Sequence, residues 1–283
     1  MARTAYSSAI NTIDKMAIFI PIVLLIRQRV ALRQFLLRSI KRRYRLSAFG
    51  LLWTIIVPLT TLGIYTFVFG VVMESRWSAS DSPSTYGFSL YLFSGLIVFW
   101  VLAEVMGQAP MAVVEHTNLV KRAVFPLEIL PPVVVGNAVF HALVNTGVLL
   151  AALVALGGQI PITALLLPII LLPFVILLIG LSWILAAVGV YFRDIVHMVG
   201  LFMTGALFIS PVFYSTDRLG PALQAVIMLN PITFIILQVR LVVLEGQNPD
   251  WVGLGLYFMI AWVIASTGLL FFRHARANFA DVL

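Results

Sequence analysis

After about residue 48 the chain is dominated by long apolar stretches separated by short polar connections. Crossing the hydrocarbon core of a bilayer takes about 20 mostly apolar residues, because a helix rises about 1.5 Å per residue. Five or six stretches meet that length: about Phe49 to Val72, Phe88 to Met106, Pro131 to Leu156, Thr163 to Phe192, Ile195 to Tyr214 and Trp251 to Phe272. The fourth is the most apolar, with Pro168 and Pro173 near its start. Two further apolar stretches do not span. Met16 to Ile26 is too short and is interrupted by Pro21. Its long polar lead-in, and the Arg27, Arg29 and Arg33 run that follows without a small-residue cleavage site, also make it a poor signal peptide. Pro221 to Val243 is broken at Asn230-Pro231 and carries Arg240. It predicts two short re-entrant or interfacial helices, buried in protein or lining a cavity, because a lipid-facing break strands backbone polar groups. The expected fold is an all-α membrane protein. Residues 1–48 form an N-terminal region with an interface helix, and residues 49–283 form a domain of six spans with the two short helices before the last.

Composition strengthens this picture. Of 283 residues, 61% are hydrophobic and 10% charged, against about half and about a quarter in soluble domains. A soluble fold would lack the polar side chains to cover its surface, so lipid is the expected solvent. Cysteine is absent, which excludes disulfides and thiolate nucleophiles or metal ligands. Charge then sets orientation. On the six-span reading, every one of the 18 Lys and Arg except Arg76, Arg218 and Arg240 lies on the N-terminal side. Basic loops stay in the cytoplasm, which puts both termini there. The same asymmetry explains the net charge of +7 without nucleic acid, since the charge hugs one membrane face where anionic lipid attracts it.

Three regions carry candidate chemistry. From Arg27 to Arg45, Leu32, Leu36, Ile40 and Tyr44 recur every four residues with Phe35 beside them, so they share one helix face. Arg38, Lys41, Arg42 and Arg45 fall largely elsewhere, as in a helix lying among lipid headgroups. The loop Glu115 to Leu130, EHTNLVKRAVFPLEIL, is helix-compatible and carries both charge signs. It is either a docking element for a soluble partner or an ordinary surface loop. Within the spans, Glu104 and Gln108 sit near the inner end of the second, and Asn137, His141 and Asn145 recur every four residues on the third. A carboxylate in a span costs about 2.5–3.5 kcal/mol on insertion scales, so it faces protein or water. A proton relay through Glu104 and His141 is one reading, and interhelical hydrogen bonding is the other. There is no acidic cluster, no H-E-x-x-H, no G-x-S-x-G and no Walker loop. No catalytic or metal site is expected, and uphill transport would need an ion gradient or a separate ATPase.

Taken in order, several segments resemble the membrane subunit of bacterial ABC-2 type exporters, in the polysaccharide and teichoic-acid branch. They are the basic helix followed by Gly50-Leu-Leu-Trp53 and Pro58, then NLVKRAVFPLEILP at Asn118 to Pro131. YFRDI at Tyr191 to Ile195, SPVFY at Ser210 to Tyr214, and Asn230-Pro231 with Arg240 follow. The resemblance implies a subunit of the bacterial inner membrane that pairs with a second copy of itself and with two ATPase subunits, which bind ATP and Mg. It implies a coupling segment including Glu115, His116, Asn118, Lys121, Arg122 and Phe125, and a second contact at Arg193 and Asp194. The helices around Pro221, Asn230, Pro231 and Arg240 would form an external gate. The substrate implied is a glycan linked to undecaprenyl diphosphate, for whose capture Arg38, Arg42 and Arg45 suit by charge. Sugars stack on aromatic rings, which makes Trp53, Tyr65, Phe69, Tyr91, Phe93, Phe99 and Trp100 candidates for channel lining or for plain interface anchors. An exporter of lipids or drugs, a membrane enzyme acting on polyprenyl-linked sugars and a proton-coupled carrier are the alternatives.

Overall fold

Proline and capping chemistry set the helix starts. Pro131 and Pro132, Pro168, Pro221 and Pro231 each occupy the first turn of a helix, where the missing N–H costs nothing and the fixed φ suits the helix. In a computed structural model, residues 20–44, 49–68, 87–120, 125–216 and 219–283 are described. Among them all regular structure is helical. The helices are α1 (Ile20–Arg27), α2 (Arg29–Tyr44), α3 (Trp53–Tyr65), α4 (Gly87–Gln108), α5 (Thr117–Val120), α6 (Leu130–Ala155), α7 (Leu167–Tyr191), α8 (Ile195–Ile209), α9 (Pro221–Met228), α10 (Pro231–Val243), α11 (Trp251–Arg276) and α12 (Phe279–Val282).

Among the described residues, four helical stretches are long and apolar enough to cross a membrane: Gly87–Met111, Leu127–Ala155, Ile162–Tyr191 and Trp251–Arg276. They match four of the six expected spans. The other two are shorter in the described residues, Trp53–Val68 and Ile195–Ile209. The 15 residues of α8 cover about 22 Å at 1.5 Å each, less than the ~30 Å core. α9 and α10 could together count as a fifth span, but they meet at 97°. The expected break at Asn230-Pro231 is therefore present. Pro231 holds Asn230 in extended backbone, φ −73° and ψ 118°, and the Asn230 Oδ1 accepts from the Ile232 N–H to start the new helix.

α4 is the hub. It is buried over 72% of its most apolar window, against 28% for α11, because α6, α8 and α10 all pack around it. α7 and α11 form the most extensive helix pair. Elsewhere apolar side chains face outward: Leu165, Leu201 and Val252 are 77%, 77% and 76% exposed. Such a surface is stable only against lipid or another subunit.

Candidate functional site

At one end of the bundle a basic platform forms. The half-buried face of α2, with Leu32, Phe35, Leu36, Ser39 and Ile40, packs on α6. This is the face that the four-residue spacing marks out. The Leu36 side chain lies over Gly136, and Ser39 accepts a 2.8 Å hydrogen bond from Asn137 Nδ2. Phe35 meets Phe125 at 5.1 Å between ring centroids, and the Arg38 guanidinium sits 5.8 Å from the Phe35 ring. Arg38, Lys41 and Arg42 remain exposed. After α4 the chain folds back through the 3-10 turns Ala109–Met111 and Val114–His116 into α5. Glu115 comes within 4.0 Å of Arg42, with both side chains more than half exposed, so the pair is a solvated and weak one. His116 donates from Nδ1 to the Ala112 carbonyl at 3.0 Å. Phe35, Arg38, Ser39, Arg42, Glu115 and His116 line much of a crevice of about 380 Å³.

Just beneath, a buried acid ties the platform to the bundle. Glu128 Oε1 accepts from Arg276 Nη1 at 2.7 Å, with Arg273 at 3.9 Å. Arg276 Nη2 also donates to the Phe125 carbonyl at 3.3 Å, and Trp183 Nε1 to the Glu128 carbonyl at 2.9 Å. Tyr191 donates to the Ala275 carbonyl, and Phe279 packs edge-on against Phe272 and Tyr191. The loop that ends at Phe125 is thus fastened to α7 and α11. Removing one member of this pair strips the other of its short charged hydrogen bond, which costs about 1–3 kcal/mol. Arg276 is one-third exposed and keeps the Phe125 carbonyl, and Glu128 keeps Arg273 at 3.9 Å, so the cost stays near the lower end. Glu128→Gln and Arg276→Met should each lower the melting temperature in lipid by about 2–8 °C. The double variant should lose little more than either single one. Fully additive losses would show that the two side chains do not act on each other.

A second cleft lies farther along α4 and α6. Trp53, Trp100, Glu104, His141 and Asn145 line a half-open cavity of about 340 Å³ between α3, α4 and α6. His141 Nδ1 donates to Glu104 Oε2 at 2.8 Å, since a carboxylate only accepts, and Gln108 Nε2 donates to Glu104 Oε1 at 3.2 Å. The interhelical hydrogen bond expected of these polar residues is present.

At the opposite end Arg240, 1% exposed, is the centre of a junction. Its guanidinium stacks 3.5 Å from the Tyr91 ring centroid. Nε and Nη2 donate to the Tyr91 carbonyl, Nη1 to the Pro211 carbonyl at 2.7 Å, and Nη2 to the Val212 carbonyl at 3.0 Å. Asn230 Nδ2 donates to Ser210 Oγ at 3.0 Å. The helix pair α9–α10 is thereby locked to the Ser210–Tyr214 segment and to α4.

The remaining residues singled out from the sequence are scattered. Arg193 and Asp194 lie exposed in the turn between α7 and α8, and Asn118 is exposed on α5. Pro221 opens α9. Among the aromatic candidates, Trp53 is exposed, Tyr65 and Trp100 are half-buried, and Tyr91 lies under Arg240. Phe93 and Phe99 are buried in the core of the chain. Arg45, Phe69, Lys121 and Arg122 lie outside the described residues. Sequence reasoning missed Glu128, Arg276 and Trp183 as a unit. The only local signal was an acid set in the apolar PLEIL run.

Several relatives carry names that bear on this arrangement. An O-antigen export system permease protein of Klebsiella pneumoniae is 27% identical over 87% of this chain and 92% of its own length. One of the same name from Myxococcus xanthus is 27% identical over 86% and 92%. A polysialic acid transport protein of Escherichia coli is 24% identical over 87% and 93%. The profile of the ABC-2 type transporter family matches residues 30–244, from the basic helix α2 through the end of α10. With its helical bundle, apolar spans and this match over most of its length, the chain belongs to the ABC-2 type transporter membrane family.

Proposed function

We propose that this chain is the membrane-spanning permease subunit of an ATP-driven exporter, acting as a homodimer with two copies of a separate ABC ATPase that binds ATP and Mg. Its substrate is an O-antigen-like polysaccharide linked to undecaprenyl diphosphate, moved from the cytoplasm across the bacterial inner membrane. Support for the substrate comes from the names of its relatives. Support for the coupling comes from one structural observation above others. The Val114–Val120 segment projects exposed Glu115 beside α2, and Phe125, five residues after Val120, is clamped by Arg276 to the bundle. A push on that segment reaches α11 through α2, by the Arg42–Glu115 pair, the Phe35–Phe125 ring contact and the Arg276 hydrogen bond to Phe125.

In this reading α3 and α8 are the first and fifth of six spans, and the basic platform and both termini face the cytoplasm. Arg38, Arg42 and Arg45 attract the diphosphate, whose oxygens suit planar guanidinium donors. Trp53, Tyr65 and Trp100, which keep ring surface accessible, are the aromatic candidates for lining the glycan path. α9 and α10 form the external gate, re-entering the membrane about the Asn230-Pro231 bend.

The test is ATP hydrolysis by the protein in lipid, alone and with the ATPase encoded beside it. Hydrolysis is expected only with the partner and should fall about tenfold or more when Glu115, His116 and Asn118 are replaced by alanine. The Glu104–His141 hydrogen bond favours a second reading, a proton-coupled carrier. Unchanged function in cells lacking any associated ATPase would select that reading over the first.

A further inference from the structure

We propose that the cleft between α3, α4 and α6 is a subsite for one neutral, hydroxyl-rich sugar residue, separate from the basic crevice that faces phosphate. This inference deepens the exporter reading and rests on it. Three observations carry it. First, the cleft pairs two indoles, Trp53 and Trp100, with a polar group of Glu104, His141 and Asn145. Sugars offer this combination its counterpart, apolar C–H faces between rims of hydroxyls. Second, the Asn145 side chain is buried, with the residue only 9% exposed, and it lines the cavity with no hydrogen-bond partner among the described residues. An amide that opens into the cavity without a protein partner offers both a donor and an acceptor there, and a ligand that both donates and accepts matches it. Third, the charge excludes the alternatives. The cleft contains a carboxylate and neither Arg nor Lys, so it disfavours phosphate and any other anion.

The two cavities are consecutive on the same helices. On α6, Asn137 lines the basic crevice while Ala138, His141 and Asn145 line the cleft; on α4, Gln108 lines the former and Glu104 the latter. The Gln108–Glu104 hydrogen bond joins them. From Asn137 to Asn145 is about 12 Å along the helix, the reach of a diphosphate and the sugar attached to it. A lipid-linked glycan therefore fits with its phosphates against Arg38 and Arg42 and its first sugar between the indoles. The two cavities read two different parts of one molecule.

The probe is farnesyl diphosphate carrying one hexose, compared with bare farnesyl diphosphate, each titrated into the purified protein in nanodiscs and followed by tryptophan emission and calorimetry. The hexose-bearing compound should bind about tenfold more tightly, the gain expected of one or two net hydrogen bonds. Asn145→Leu and Glu104→Gln should abolish that gain and leave binding of the bare compound unchanged. Arg38→Gln with Arg42→Gln should weaken both compounds alike. Glu104→Gln keeps the side-chain shape and serves if Asn145→Leu does not fold. Equal affinities of the wild-type protein for the two compounds overturn the subsite, as does an equal loss for both in either cleft variant. The exporter reading fails separately, on absence of an associated ATPase, and hexose-dependent binding without one would keep the subsite and discard the coupling.

Discussion

Replacing Arg240 with Leu should leave little folded protein in the membrane. The guanidinium is 1% exposed and satisfies the carbonyls of Tyr91, Pro211 and Val212 at once. Leucine fills part of the volume but returns none of those donors. The Tyr91 carbonyl keeps Ser94 Oγ as a donor, but the Pro211 and Val212 carbonyls lose theirs at about 1–3 kcal/mol each. The loss of stacking on Tyr91 adds about 1–2 kcal/mol at a desolvated site. A total near 5 kcal/mol is a large fraction of the stability of an ordinary domain. Lysine should not restore it, because a single ammonium cannot span three acceptors held in fork geometry. The site also explains why position 95 is glycine. A Cβ there would stand 2.7 Å from Arg240 Nη2 and 3.4 Å from the Val212 Cα, so Gly95→Ala displaces the same guanidinium from the other side. Its loss should be smaller, since a side-chain end can shift. Yield of monodisperse protein and melting temperature measure all three variants. A stable Arg240→Lys would mean that charge alone holds the junction.

What was legible in the sequence followed from local chemistry. The break at Asn230-Pro231 was readable because proline restricts its own φ and the residue before it, whatever the rest of the chain does. The starts of the third and last spans, near Pro131 and Trp251, were readable from apolar length; in the fold Asp250 caps the last span by accepting from Val252 and Gly253. The face of α2 was readable from a four-residue repeat. Other features depend on contacts distant in the chain. α8 ends at Ile209 rather than continuing to Tyr214, and the Pro211 and Val212 carbonyls beyond it are used by Arg240. Glu128 looked like one charge in a docking loop, because its partner is 148 residues away. The aromatic residues of α4 gave no hint of direction. Over its apolar length α4 is mostly covered by protein and presents no polar face, so nothing in its spacing separates buried Phe93 and Phe99 from half-buried Trp100.

The contact between α7 and α11 should be the least tolerant of added volume. With lipid outside, no hydrophobic force drives two spans together, and close backbone approach has to supply the packing. Gly180 and Gly268 permit that approach. A Cβ on Gly180 would stand 2.7 Å from the backbone of Ala265, and one on Gly268 would run into the Gly180 carbonyl oxygen. The obstruction in both cases is backbone, which cannot rotate away as a side chain can, so one methyl group has to part the helices. Overpacking typically costs about 1–3 kcal/mol when side chains can adjust, and here the cost should reach or exceed the upper value. Only 28% of the α11 window is buried, so α11 has little other contact to fall back on. Separation would also pull Arg276 away from Glu128 and loosen the platform. Gly180→Ala and Gly268→Ala should each lower the melting temperature by about 6–12 °C, and Gly180→Val should give no monodisperse protein. Gly255, on the same helix with nothing within 4 Å, supplies the control. Gly255→Ala should be neutral or slightly stabilising, because alanine favours the helix by about 1 kcal/mol. Equal stability of Gly268→Ala and Gly255→Ala would show that the two helices are not in backbone contact, and the platform would then need another anchor.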